Sequence, residues 1–216
     1  MDFAAVRRNM VDRQLRTNKV IDEAVLQALG EVPRERFVPA ELRAVAYVDA
    51  DVPLGQARYL IEPMVFGRLL QAAGVRRTDL VLDIGCGTGY STAILARLAN
   101  MVVALEYDRP LARAASAAIS DLAIDNALVV EGPVELGWPA QAPYNLIVVE
   151  GAAHRIPEAI LGQLADEGRA VGVEMRDGVG RAMLYMRSRG VISGRPLFDA
   201  AVPMLPGLAA QPSFVF

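Results

Sequence analysis

Val81-Leu82-Asp83-Ile84-Gly85-Cys86-Gly87-Thr88-Gly89-Tyr90 is the stretch that decides the fold. Its first four residues read as a buried strand, and Ser91–Leu98 has helical spacing. Between them, three glycines stand at alternate positions. Glycine removes the Cβ where a chain turns sharply and where a ligand lies against backbone. The segment therefore predicts a first β-to-α turn built to approach a ligand. Glu106 closes the next strand, 17 residues after Gly89, where an acid is placed to accept hydrogen bonds from ribose hydroxyls.

Outward from this turn, strands and helices alternate. Leu80–Ile84, Met101–Leu105, Ala127–Val130 and Asn145–Val149 read as strands, and Leu111–Leu122 as an Ala-rich helix. Pro157–Leu164 reads as a helix ended by Gly168, followed by strand candidates at Arg169–Val173, Ala182–Met186 and Phe214–Phe216. That order predicts an α/β fold with a doubly wound, mostly parallel sheet and antiparallel strands at the C-terminal edge. Upstream, Val6, Met10, Gln14 and Leu15, then Ile21, Val25, Leu26 and Leu29, recur at helical spacing. Pro33 and Pro39 break the pattern, residues 47–63 read as irregular, and Pro63 opens a helix that stops at Gly74. The expectation is one domain over 1–216. Residues 1–75 form a helical cap with an active-site loop, and 76–216 form the cofactor-binding core and its edge. The apolar tail from Val202 is expected to pack back on the sheet.

Composition narrows the function. The chain has 216 residues, 53% of them hydrophobic, with 22 basic and 25 acidic side chains and a net charge of −3. No basic face for nucleic-acid phosphates is expected from that balance. One cysteine excludes an internal disulfide framework, and one histidine excludes a His-rich zinc site, so no metal is expected. Charges recur through the N-terminus with no apolar leader segment, and no run approaches about 18 apolar residues. The expectation is a cytoplasmic protein with no membrane partner.

The ligand class follows from the loop. Dinucleotide sites favour G-x-G-x-x-G and place pyrophosphate at the helix N-terminus. Here the spacing is G-x-G-x-G, and Asp83 stands two residues before the first glycine. A carboxylate there repels pyrophosphate and suits a cationic, amine-bearing ligand such as S-adenosylmethionine. The rival readings are a bare structural turn and a nicotinamide-type oxidoreductase.

Asp83-Ile-Gly-Cys-Gly-Thr-Gly-Tyr90 resembles motif I of class I, Rossmann-like methyltransferases. The chain as a whole, from about residue 7 to 187, resembles the protein-L-isoaspartate O-methyltransferase family. The residues that carry this are Arg13-Gln14-Leu15, Val32-Pro33-Arg34, Phe37-Val38-Pro39, Ala46-Tyr47 with Asp49, Trp138-Pro139, Ala142-Pro143-Tyr144, and Gln163-Leu164 ahead of Glu167-Gly168-Arg169. The resemblance implies methyl esterification of isoaspartyl carboxylates, with S-adenosylmethionine as cofactor and S-adenosylhomocysteine as product. It implies a protein or peptide acceptor; a divergent member would take a small molecule instead. By resemblance, Asp83, Gly85, Cys86, Gly87, Gly89 and Tyr90 hold the methionine and sugar parts. Glu106 with Tyr107 takes the ribose, Glu131-Gly132-Pro133 borders the adenine, and the loop 55–63 covers the methyl group.

The sequence departs from the family on the acceptor side. Ungapped counting puts the family's loop threonine at Tyr59, its serine at Ile61 and its glutamine at Glu62, so a hydroxyl is lost. The family's Asp-Gly becomes Pro133-Val134, and Thr-Ala becomes Glu150-Gly151. An ionised Glu150 would repel an anionic acceptor or serve as general base, or it would pair with an arginine such as Arg58. These departures open two alternatives: a methyltransferase for a neutral or cationic acceptor, and a catalytically silent cofactor-binding module. His154 is a candidate base or a surface residue. Cys86 is a small packing residue or a thiol activated by the helix N-terminus.

Overall fold

The structure is a computed structural model that describes residues 1–176 and 178–210. Helix α1 (Phe3–Met10) continues through a π turn at Val11–Leu15 and a 3-10 turn at Arg16–Asn18. Helix α2 (Glu23–Glu31) starts at Asp22, whose carboxylate accepts from the amides of Ala24 and Val25. Helix α3 (Pro63–Ala73) has its proline in the first turn and ends where Gly74 adopts φ +56°. Their apolar stripes, among them Leu26, Leu29, Phe66 and Leu70, pack into one core with the near face of the sheet.

Residues 47–63 are more ordered than the sequence predicts. Strands β1 (Val52–Gly55) and β2 (Arg58–Leu60) form an antiparallel hairpin. Its turn places Gln56 and Ala57 at φ +52° and +54°, a conformation usually taken by Asn and Gly.

The main sheet contains β3 (Leu80–Ile84), β4 (Met101–Glu106), β5 (Ala127–Glu131), β6 (Tyr144–Ala153), β7 (Leu164–Arg176), β8 (Val179–Ser188) and β9 (Val191–Asp199). Their order is β5-β4-β3-β6-β7-β8-β9. Pairing is parallel from β5 to β7 and antiparallel from β7 to β9. Helices α4 (Tyr90–Leu98) and α5 (Arg109–Asp121) complete the crossovers. The chain leaves β3 in one direction and returns on its other side as β6. The switch point, where such folds bind ligands, therefore lies between the C-terminal ends of β3 and β6.

Three expectations need correction. The helix expected over 157–164 is only α6 (Glu158–Leu161). Gly168 does not end it but lies inside β7, where a Cβ would meet the carbonyl oxygens of Ala165 at 2.7 Å and Tyr144 at 3.0 Å. β9 carries no strand signal in the sequence, because Gly194 and Pro196 interrupt an exposed edge strand that needs no alternating pattern. The expected strand at 214–216 lies outside the described residues. The tail before it does pack back: the Ala152 amide donates to Pro203 O, the Leu205 amide to Ala152 O and the His154 amide to Leu208 O, each at 2.8 Å. Among the described residues no helix is long and apolar enough to cross a membrane.

Candidate active site

Strand register builds the site. Ile84 lies opposite Leu105 on one side and Val149 on the other, and Glu106 lies opposite Glu131. The residues at or just past these paired positions (Gly85, Glu106, Glu131 and Glu150) thus form one row across the strands. Gly85, Gly87 and Gly89 all have positive φ, at +77°, +57° and +93°. Only glycine adopts these at little cost. The Gly85 amide donates to Leu105 O at 2.8 Å, and the Thr88 hydroxyl to Phe37 O at 2.6 Å, which fixes the loop to the helical cap.

Asp83 is wholly buried beneath the loop. Its Oδ2 accepts from the hydroxyls of Ser91 (2.8 Å) and Thr92 (2.7 Å), while Oδ1 has no partner. Burial pushes its pKa up to about 6, against the pull of those two hydroxyls. Glu106 is also wholly buried. Its Oε2 accepts from the Gly87 amide at 2.8 Å, and its Oε1 from the amides of Tyr107 (3.0 Å) and Asp108 (3.1 Å).

A further donor to Glu106 is not one the sequence disclosed. Arg58 enters from β2, places Nη2 3.1 Å from Glu106 Oε2 and donates to Gly85 O. The Glu150–Arg58 pair, one of the alternatives open for Glu150, does not form; Arg58 pairs with Glu106 instead. Leu205, from the tail, stands where a Cβ on Gly85 would fall, within 2.8 Å, and Leu54 of β1 stands within 2.9 Å of the same point on Gly87. The crevice left among Arg58, Tyr59, Ile61, Glu150, Gly151 and Leu205 holds about 10 Å³, room for no more than one water.

Glu150 is 7% exposed and its Oε1 has no partner. Burial, then the neighbouring Asp83 carboxylate, raises its pKa well above the usual carboxylate range, although Arg58 and Arg34 oppose this. The expectation of an ionised, repelling Glu150 is therefore corrected: the neutral acid is favoured. Of the two readings of Cys86, the small packing residue stands. It is buried, and burial with the nearby Asp83 and Glu106 carboxylates raises its thiol pKa, so the helix N-terminus does not activate it.

The remaining candidates divide. Ile61 and Tyr59 line the crevice, but Glu62 sits at the start of α3, its amide donating to Asp51 at 2.9 Å. Tyr90 turns toward the helical cap, edge-on to Phe37 at 5.5 Å. Tyr107 is partly exposed beside Glu106, and Pro133 is exposed. Glu131 pairs with Arg109 at the surface, 3.3 Å away. Gly132 is packed under Trp138. His154 is exposed, beyond the end of β6. Arg34, wholly buried, holds this arrangement in place: it donates to Ala46 O (2.6 Å) and Ile61 O (2.8 Å) and lies over the Tyr90 ring at 5.0 Å.

The frame fits S-adenosylmethionine: glycines without Cβ, a spare buried Asp83 oxygen below them and Glu106 ending β4. Arg58, Leu54 and Leu205 now stand in the space that the frame encloses.

Comparison with known proteins agrees with the frame. Residues 6–196 match the family model described as Protein-L-isoaspartate(D-aspartate) O-methyltransferase (PCMT). The chain is 37% identical over 209 residues to the Protein-L-isoaspartate O-methyltransferase of Methylorubrum populi, covering 95% of this chain and 98% of that one. It is 39% identical over 165 residues to Protein-L-isoaspartate O-methyltransferase 2 of Anaeromyxobacter sp., covering 76% of this chain and 68% of that one. In fold it is similar to a protein of the same family name from Plasmodium falciparum, solved in complex with S-adenosyl-L-homocysteine. That match has a TM-score of 0.80 at 19% identity and covers 95% of this chain and 98% of that one. A row of acids and glycines at the switch point, set in a family match that runs almost from end to end, leads to one assignment: the chain belongs to the protein-L-isoaspartate O-methyltransferase family.

Proposed function

We propose that this chain is an S-adenosylmethionine-dependent methyltransferase that esterifies isoaspartyl carboxylates in damaged proteins. The observation that carries the reading is the row of Gly85, Glu106 and Glu150 at the switch point, in a chain whose relatives bear that name over most of their length. The cofactor, when bound, supplies an electrophilic methyl group on a sulfonium centre. A carboxylate acceptor is ionised at neutral pH and needs no general base, so the protein's work is positioning and exclusion of water. Asp83 faces the amine-bearing part, Glu106 with Tyr107 takes the ribose, and Glu131, Gly132 and Pro133 border the base.

Ile61 lacks the hydroxyl that the family places beside the acceptor. A neutral Glu150 replaces that donor, because a protonated carboxyl group donates a hydrogen bond to an anionic acceptor instead of repelling it. This removes the reason to prefer a neutral or cationic acceptor. The acceptor is a protein or peptide chain, and the setting is cytoplasmic, supported by the single unpaired cysteine.

The test is methyl transfer from radiolabelled cofactor, at saturating concentration, to an isoaspartyl peptide and to its ordinary aspartyl counterpart. Label is expected on the isoaspartyl peptide alone. Glu150→Ala should lower kcat/KM about tenfold or more, since a donor to a charged group contributes about 1.5–3 kcal/mol, and Glu150→Gln should retain more activity. Equal labelling of both peptides, or none while S-adenosylhomocysteine binds, would overturn the reading.

A further inference from the structure

The cofactor frame is closed by the chain's own side chains, from two separate directions. From the hairpin, Arg58 satisfies Glu106 Oε2 at 3.1 Å and Gly85 O, and Glu106 is the carboxylate assigned to the ribose hydroxyls in the cofactor reading. From the same hairpin, Leu54 covers Gly87. From the tail, Leu205 covers Gly85 and is 1% exposed. The tail strap is held by backbone hydrogen bonds from the Ala152 amide to Pro203 O, from the Leu205 amide to Ala152 O and from the His154 amide to Leu208 O. It lies beyond the residues 6–196 that match the family model. The hairpin turn is strained at Gln56 and Ala57, both non-glycine residues with positive φ.

We propose that Arg58 and Leu205 form a two-sided internal plug that competes with S-adenosylmethionine for its site, so that the hairpin 52–60 and the strap 203–208 must withdraw before the cofactor enters. The proposal rests on the cofactor reading above. Arg58 is the chemical mimic in this competition: its guanidinium donates to the same carboxylate that ribose hydroxyls would. Leu205 is the steric half, filling space that the missing Cβ of Gly85 leaves open. Apparent affinity is then the intrinsic affinity scaled by the fraction of molecules in which both are withdrawn. Weakening either half raises that fraction. Arg58→Gln leaves Glu106 with its three backbone donors, and Leu205→Ala leaves the strap's backbone hydrogen bonds in place.

The experiment is calorimetric titration of S-adenosylhomocysteine into the full chain, Arg58→Gln and Leu205→Ala, with folding checked by thermal unfolding. Each variant is expected to bind about tenfold tighter or more than the parent chain. Amide hydrogen exchange gives a second readout: with saturating ligand, the Ala152 and Leu205 amides of the parent chain should exchange faster, because the strap has lifted. If Arg58→Gln fails to fold, Leu205→Ala and the exchange readout carry the test. Folded variants that bind no tighter than a binding parent chain, with exchange unchanged, overturn the plug and leave the cofactor reading standing. If the parent and both folded variants all fail to bind, both fall together.

Discussion

Arg58 and Glu106 form an ion pair at 3.1 Å in which the arginine side chain is 2% exposed and the carboxylate 0%. Taking two charges this far from water is costly unless other polar groups satisfy them: Glu106 also accepts three backbone amides, whereas the Arg58 Nε proton has no partner. Glu106→Ala strips a buried guanidinium of its counter-charge and orphans those amides. A loss of about 3–5 kcal/mol is expected in urea unfolding. Arg58→Gln should cost clearly less; equal costs would show that the backbone amides do not hold the carboxylate.

Asp83 sets a pH dependence. Its carboxyl titrates near 6 in the fold against about 4 in the unfolded chain, so the fold favours the protonated form. The stability this supplies is complete below about pH 4 and is lost as pH rises through about 6. Asp83→Asn keeps an acceptor for Ser91 and Thr92 without the charge. The stability difference between the parent chain and Asp83→Asn should therefore move in the variant's favour from pH 4.5 to pH 7. A difference that is flat with pH, measured by urea unfolding, would refute the raised pKa.

Gly89 and Gly74 offer a matched pair. Both have positive φ, but a Cβ on Gly74 meets nothing within 4 Å, whereas one on Gly89 meets the Cα and Cβ of Ala115 at 3.2 Å. Gly74→Ala should cost about 1 kcal/mol for strain alone. Gly89→Ala should cost more, because α4 and α5 must separate. Thermal unfolding of the two variants checks the order.

Arg169 joins the helical cap to the sheet. It donates to Ala73 O (2.6 Å), Asn145 O (3.0 Å) and Asp79 Oδ1 (3.0 Å), and also to Gly74 O. Arg169→Ala strips the buried Asp79 of its counter-charge, leaving it the Arg76 amide alone, and orphans the C-terminal carbonyls of α3, so a loss of about 3–5 kcal/mol is expected. Arg169→Lys should recover little of it, since one ammonium cannot span that fork of acceptors. Full recovery by lysine would show that charge alone matters.

Much of this protein was legible in its residues because the signals are local. Buried parallel strands read as apolar runs, as at Leu80–Ile84 and Asn145–Val149, and Pro63 and Gly74 punctuate α3 by rules of φ alone. Asp83, the three glycines and Glu106 were legible because one βα turn and its neighbouring strand place them by spacing. The hairpin at 52–60 was not, since Gln56 and Ala57 carry no turn signature. β9 was not, since an exposed edge strand has no face to bury.

The sequence by itself determined the α/β order, the glycine turn and the acids beside it, each a consequence of backbone conformation within a few residues. Tertiary structure alone decided the burial that favours a neutral Glu150, the partner of Glu106 and the filling of the glycine cradle. Those depend on which side chains meet: Arg58 is 48 residues from Glu106, and Leu205 is 120 residues from Gly85. Desolvation and pairing act through space and have no periodicity along the chain.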